Sequence, residues 1–432
     1  MSSISSYFQG LHEEMIDWRR LFHKYPEPAW CEFGTATFIA QCLKEWGFEL
    51  CMGKDLICDE RMNLPSKETL NKFYTQAAAR QDLDKELLAK TKGGFTAVAG
   101  ILDCGDGPVK VFRVDMDALS IRESQLSAHF PFSAQFASVH DGFMHACGHD
   151  AHASIGLGLA KYLSQHKDNL QGRIIVLFQP AEEGLRGMAA VVNHPLFRKI
   201  DEAYGFHVWA NREQNDFICG TYGQLASKKF DVKIKGKASH AALAPEKGIN
   251  AMLPAAEIIL SLEKLKSDFP SHIRLNIGQM QAGTARNIVC PEANLKIETR
   301  AGDTVSCDQL FNAAIKTIED ITKKYACSCK ISLVGEAESA ASSLDLAKRV
   351  KQVVNATGLF ANCLEGELHN TYSEDFCTLM NHVQKSGGKA VFMGIGASNQ
   401  TGTHHQSHFD ISEDTMWKMA GVLAELIYRY NT

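Results

Sequence analysis

The sequence has no Cys-x-x-Cys pair, no run of about 18 uncharged apolar residues, no block of Lys and Arg, and no basic amino-terminal stretch leading into an apolar one. Without the first, a dithiol redox role has no seat. Without the second and the last, neither membrane insertion nor export is expected. With no clustered cations and a formal net charge of -5, nothing draws the chain electrostatically to nucleic acid or an anionic membrane. The expected partners are small molecules and the expected compartment is the cytoplasm. Thirteen cysteines, an odd count spread along the chain, fit reduced thiols there better than a disulfide scaffold. Internal repeats and low-complexity tracts are also missing.

What is present suits an enzyme. At 432 residues the chain exceeds the size at which one core stops growing, and 45% hydrophobic with 22% charged residues gives ample material for burial. Two domains are expected, one of them split in sequence. Apolar runs at 95–102, 109–114, 173–179, 203–208 and 390–395 read as strands, and 151–163, 344–356 and 413–430 as helices, an alternation that predicts an α/β sheet. Between 225 and 338 the order changes to strand 229–235, helix 249–265, strands 273–280 and 288–299, helix 307–325 and strand 328–334. That βαββαβ order predicts an inserted ferredoxin-like domain, with residues 1–224 and 339–432 forming the α/β domain around it. The polar segment 51–92, helix-prone over 66–90, is a candidate flap or partner surface.

Five clusters of metal-type residues fall at or just beyond predicted strand ends, the edge where open α/β sheets assemble their sites. Asp115 and Asp117 in RVDMD are spaced to share one side of an extended chain, as ligands, as supports for ligands or as a solvated turn. MHACGHDAH (144–152) packs three histidines, one cysteine and one aspartate into nine residues leading into a helix. A thiolate and an imidazole two residues apart can reach one ion, or the thiolate can bridge two, and the helix amides favour the thiolate. In QPAEEG, Glu182 and Glu183 cannot share a face, so one can bind an ion while the other moves a proton. His207 ends a strand, and THHQSH (403–408) follows one; spacing alone does not choose among the late histidines. Ser239-His240 and TARN (284–287) offer donors for an oxyanion or a carboxylate from the inserted domain.

HACGHDAH, QPAEEG, the strand-end His, KASHAA, TARNIV and HHQSHF occur in an order that resembles the dimetal aminoacylase and carboxypeptidase superfamily, in its hippurate and indoleacetyl-amino-acid hydrolase branch. The resemblance covers residues 18–428. The long segment 53–95, VFRVDMDAL and QAGTARNIV further resemble the A-subunit group of p-aminobenzoyl-glutamate hydrolases, which implies a role in folate catabolism. The resemblance implies a metallopeptidase-like catalytic domain with a lid, and two divalent ions, Mn²⁺ or Zn²⁺, held by Cys147, His149, Glu183, His207 and His405. Cys147 matches the position between both metals. His405 is preferred to His404 because the family ligand lies four residues before a Phe, here Phe409, although Gln406 stands where relatives often carry a small polar residue. Glu182 matches the general base and His240 a lid histidine that reaches the active site of the neighbouring protomer. Asn287 with Arg286 or Arg300 would hold substrate carboxylates, and Asp117, Asp150 and His152 would orient ligands. The implied reaction is hydrolysis of an N-acyl amino acid by a homodimer, or by a heterodimer with a related chain.

Overall fold

The computed structural model describes residues 3–269, 273–368, 371–399 and 401–430. Its strands in chain order are β1 (Glu49–Met52), β2 (Val98–Asp103), β3 (Val109–Asp115), β4 (Arg173–Gln179), β5 (Glu202–Trp209), β6 (Asp216–Ile218), β7 (Thr221–Tyr222), β8 (Ala226–Lys235), β9 (Arg274–Ala282), β10 (Glu292–Ala301), β11 (Ser328–Ala337), β12 (Asn362–Leu364), β13 (Glu367–Leu368) and β14 (Lys389–Gly396). Eight of them form one mixed sheet in the order β1-β2-β4-β3-β5-β14-β6-β12. The middle block β4-β3-β5-β14 is parallel. Its strands are apolar runs such as RIIVLFQ and AVFMGI because helices cover both faces. One face packs on helices Ser3–Lys24, His149–Gln165 and Asp414–Arg429, the other on Phe376–Lys385. The parallel block brings the carboxyl ends of four strands to one edge, where loops after β3, β4, β5 and β14 meet.

Residues 226–337 build the second sheet, antiparallel and ordered β11-β8-β10-β9. This is the ferredoxin-like arrangement that the strand and helix order predicts. Alternation along β8 sends Phe230, Val232 and Ile234 into a core of their own under helices Met252–Leu265 and Thr304–Lys324, leaving the half-buried Lys229 and Asp231 on the open face. Gly335 of β11 lies against a loop of the eight-stranded sheet: the Glu336 N–H donates to the Leu185 carbonyl at 2.8 Å, and a Cβ on Gly335 would stand 2.0 Å from the Gly184 oxygen.

The 51–92 segment folds as two helices, Lys67–Ala79 and Lys85–Thr91, started by the Ser66 and Asp84 side chains. Leu70, Phe73, Ala77, Leu83 and Leu88 pack it on Cys31 and Phe33. No helix among the described residues is long and apolar enough to cross a membrane.

Candidate metal centre and active site

His149 opens the helix His149–Gln165, and Gly148 before it has φ +95°, with its Cβ position 2.5 Å from a Val208 methyl. Only glycine gives both the left-handed turn and the close approach, so the loop can present Cys147 and His149 to the same space. The His149 Nδ1–H donates to the Asp117 carbonyl at 2.9 Å, and the His207 Nδ1–H to the Val208 carbonyl at 2.6 Å. These bonds commit each Nδ1, so Nε2 is the ring nitrogen left for a further partner. Cys147 Sγ is 3.4 Å from His207 Nε2, and His405 Nε2 is 3.6 Å from Glu183 Oε1.

Of five ligand-type triplets among the described residues, two contain Cys147: Cys147-His149-His207 and Cys147-Glu183-His405, each with its donor atoms within 4.8 Å of one another. Cys147 belongs to both. His149 Nε2 and Glu183 Oε1 are buried without a hydrogen-bond partner, which buried polar atoms rarely are. Bare imidazole nitrogens, a thiol and a carboxylate are also the donor chemistry that zinc and manganese accept. The residues fit a pair of divalent ions.

The surrounding groups hold this set in place. The Asp117 carboxylate accepts the backbone N–H of Glu182 and of Glu183, each at 3.0 Å. Ala181 and Leu185, on either side of the pair, have φ +56° and +65°. His405 has φ +63°, and its N–H donates to the Ala146 carbonyl at 2.8 Å. Non-glycine residues held in this left-handed region concentrate at functional loops. His152 uses both ring nitrogens, one with Asp115 at 2.5 Å and one accepting the Val208 N–H at 3.0 Å, so neither is left to bind an ion. Asp150 faces away and accepts from Arg19 at 3.0 Å and from His23 at 2.8 Å. His404 Nε2 accepts the Ala210 N–H at 3.1 Å while its Nδ1 is 3.8 Å from Cys147 Sγ.

Lining a cavity of about 370 Å³ are Cys147, Glu182, Glu183, His207, His404, His405 and Arg300. The other inserted-domain candidates are elsewhere. His240, Arg286 and Asn287 are exposed, bound together by the His240–Ile288 bridge and by the Ala241 N–H donating to the Asn287 carbonyl at 3.0 Å. None of the three lines the cavity of its own chain.

The sequence profile of the peptidase family M20/M25/M40 matches residues 111–429. The chain belongs to that family. Among relatives of this M20 chain, an indole-3-acetyl-aspartic acid hydrolase of Enterobacter agglomerans is 38% identical over 96% of this chain and 95% of its own length. The A subunit of the p-aminobenzoyl-glutamate hydrolase of Escherichia coli is 36% identical over the same shares. Among solved structures, an aminobenzoyl-glutamate utilization protein from Klebsiella pneumoniae superposes with a TM-score of 0.85 at 31% identity, over 99% of this chain and 98% of that one. The M20 chain is thus a hydrolase of N-acyl amino acid amide bonds, and its family is a dimetal one.

Around the candidate ligands this M20 hydrolase is rich in buried acids. Burial, reinforced by Glu183, lifts the Cys147 thiol well above its ordinary range. Burial also lifts Glu183 to about 7 against the pull of His149. Glu182 is raised well above the carboxylate range by burial, then by Glu374, Glu183 and Asp375. Glu374 lies 3.0 Å from the buried Arg113 guanidinium, which also bonds Asp115 and Asp375. Sequence reasoning passed over Glu374, Trp209, Tyr372 and Lys229, all of which line the cavity. The Trp209 ring stacks on His207, centroids 4.6 Å apart, and Tyr372 packs 5.2 Å from it. Trp209 was legible: two residues past His207 in a strand, it shares its side.

Proposed function

We propose that the chain cleaves p-aminobenzoyl-glutamate to p-aminobenzoate and glutamate, with Cys147, His149, Glu183, His207 and His405 holding two Mn²⁺ or Zn²⁺ ions. The observation that carries the reading is the membership of Cys147 in two ligand triplets, with Glu182 Oε2 3.9 Å from His149 Nε2 at the rim of the same cavity. The substrate comes from the relatives named above. Bound ions supply Lewis acidity, lowering the pKa of water and polarising the acyl oxygen. Glu182 takes a proton from the attacking water and delivers it to the amide nitrogen as the C–N bond breaks, first base and then acid. Asp117, Asp150 and His152 orient the ligand loop. Trp209 and Tyr372 wall the end that takes the aromatic acyl group. Arg300 holds the α-carboxylate.

His240, Arg286 and Asn287, exposed in their own chain, serve the site of a second protomer, His240 toward the acyl oxygen and the others toward a carboxylate. In this reading residues 225–338 are a lid and dimerisation domain, and 1–224 with 339–432 the catalytic domain. Exposed leucines at 243 (82%), 260 (72%) and 253 (53%), and β9 at the sheet edge, favour a partner there. A homodimer is proposed; because one relative carries a subunit name, the second reading is a heterodimer with a related chain, without which this one is inactive. A general hippurate-type hydrolase is the third. The cytoplasm is the proposed compartment, since all thirteen cysteines are free thiols.

The test is an assay of the purified chain alone, with Mn²⁺, on hippurate, indoleacetyl-alanine and p-aminobenzoyl-glutamate. Turnover of the last is expected to dominate; turnover only after a related chain is added favours the second reading. Glu182→Gln is expected to keep its metal and lose about 10³-fold in kcat, whereas Cys147→Ala loses bound metal. Full activity in the first or unchanged metal stoichiometry in the second removes that assignment.

A further inference from the structure

On the open face of the lid sheet, β8 and β10 pair so that Lys229 lies opposite Glu298 and Ser227 opposite Arg300. Residues two apart on paired strands share a face, so Lys229, Glu298 and Arg300 form one polar group turned toward the catalytic edge. Lys229 and Arg300 line both the metal cavity and a larger one of about 660 Å³ outside it, whose wall includes Asn63 and Arg186. Lys229, Arg300 and Arg186 line that outer chamber with Glu183, and Glu298 and Glu182 also lie near Lys229. Arg300 holds Glu298 at 2.9 Å and Arg186 donates to the Asn63 carbonyl at 3.4 Å. For the Lys229 ammonium, half-buried, no hydrogen bond or ion pair occurs among the described residues. Burial lowers its pKa and the neighbouring Arg300 adds to this, against Glu298 and Glu182. A half-buried ammonium that makes no hydrogen bond keeps its N–H donors free for an incoming carboxylate.

An amino acid with one carboxylate occupies Arg300 and leaves Lys229 unsatisfied. We infer that Lys229 is a specificity-determining residue that binds the side-chain carboxylate of the leaving amino acid, so that the enzyme selects N-acyl derivatives of dicarboxylic amino acids over those of glycine or neutral residues. This rests on the hydrolase reading above and narrows it, against the hippurate-type alternative. The competing role is a counterweight: Lys229 near Glu182 and Glu183 would then tune the chemistry of every substrate alike.

The two roles separate in one comparison. With the Mn²⁺-loaded full chain, kcat/KM for p-aminobenzoyl-glutamate is expected to exceed that for the isosteric p-aminobenzoyl-glutamine by about 100-fold. In Lys229→Met the ratio falls to within about threefold, through loss on the glutamate substrate alone. An equal fall on both substrates, or no preference in the parent enzyme, overturns the inference. Calorimetric binding of the same two compounds to Glu182→Gln, with and without Lys229→Met, separates this from the activity itself. A charge preference in Glu182→Gln that Lys229→Met erases, together with no turnover of either compound by the parent chain, keeps the subsite and sinks the hydrolase reading. Equal binding of both compounds to Glu182→Gln sinks the subsite, whatever the parent enzyme hydrolyses.

Discussion

His23 shows how a residue far from the ligands in sequence secures them. It is buried beneath the metal-binding loop, joined to Asp150 at 2.8 Å and to Glu123 at 2.9 Å. Burial pulls its pKa down, but the bonds to Asp150 and Glu123 outweigh this and lift it to about 9. Raised above its unfolded value, the group adds stability that is fully present below pH 6.5 and is lost as pH climbs through 9. The contribution is on the order of 3 kcal/mol. His23→Gln is therefore expected to lower Tm most at pH 6 and to flatten the decline of Tm between pH 6.5 and 9. Thermal melts across that range check it, and an unchanged slope would show that His23 does not carry the linkage. At this scale the candidate ligands stood out because HACGHDAH and QPAEEG concentrate metal-type residues locally. Lys229 and Glu374 were not: a lone lysine on a strand and an acid in a polar loop look like solvated residues until the chain folds around them.

Among the elements, β11 matters beyond its own sheet, because the contact at Gly335 ties the inserted four-stranded sheet to the loop that carries Glu182 and Glu183. Gly335→Val is expected to displace the Gly184 carbonyl and to cut kcat/KM at least tenfold on every substrate, with the far-ultraviolet spectrum unchanged. Gly278→Ala, whose added Cβ meets only the Asn276 side chain at 3.5 Å, is the tolerated control. Equal kinetics in the two variants would show the contact to be passive. Most long elements past residue 93 followed from periodicity, but the helices Ser3–Lys24, Phe33–Glu45 and Phe376–Lys385 went unread, and the strands β6, β7, β12 and β13, two or three residues each, carry too little pattern to be seen. The reading of one helix-prone stretch over 66–90 missed the break at Arg80–Asp84, which the Asp84 cap imposes. The strand expected from Ile288 begins only at Glu292, since Pro291 has no N–H for a ladder.

For the whole molecule, the sequence announced an α/β sheet and a βαββαβ insert through the order of its elements, but strand pairing across hundreds of residues leaves no local trace. The order β5-β14-β6 is such a case. Residues 389–396 come almost last in the chain yet fill the interior of the sheet. While the ribosome is still making them, β5 waits with an unpaired flank and a bare apolar core, the sort of surface that other nascent chains join. A polypeptide halted after residue 388 is expected to aggregate or remain on chaperones, and a soluble, monodisperse product of that length would refute this. Synthesis itself then acts as a checkpoint: His405 arrives after the closing strand, so an incomplete copy lacks both that strand and the last of the proposed metal ligands.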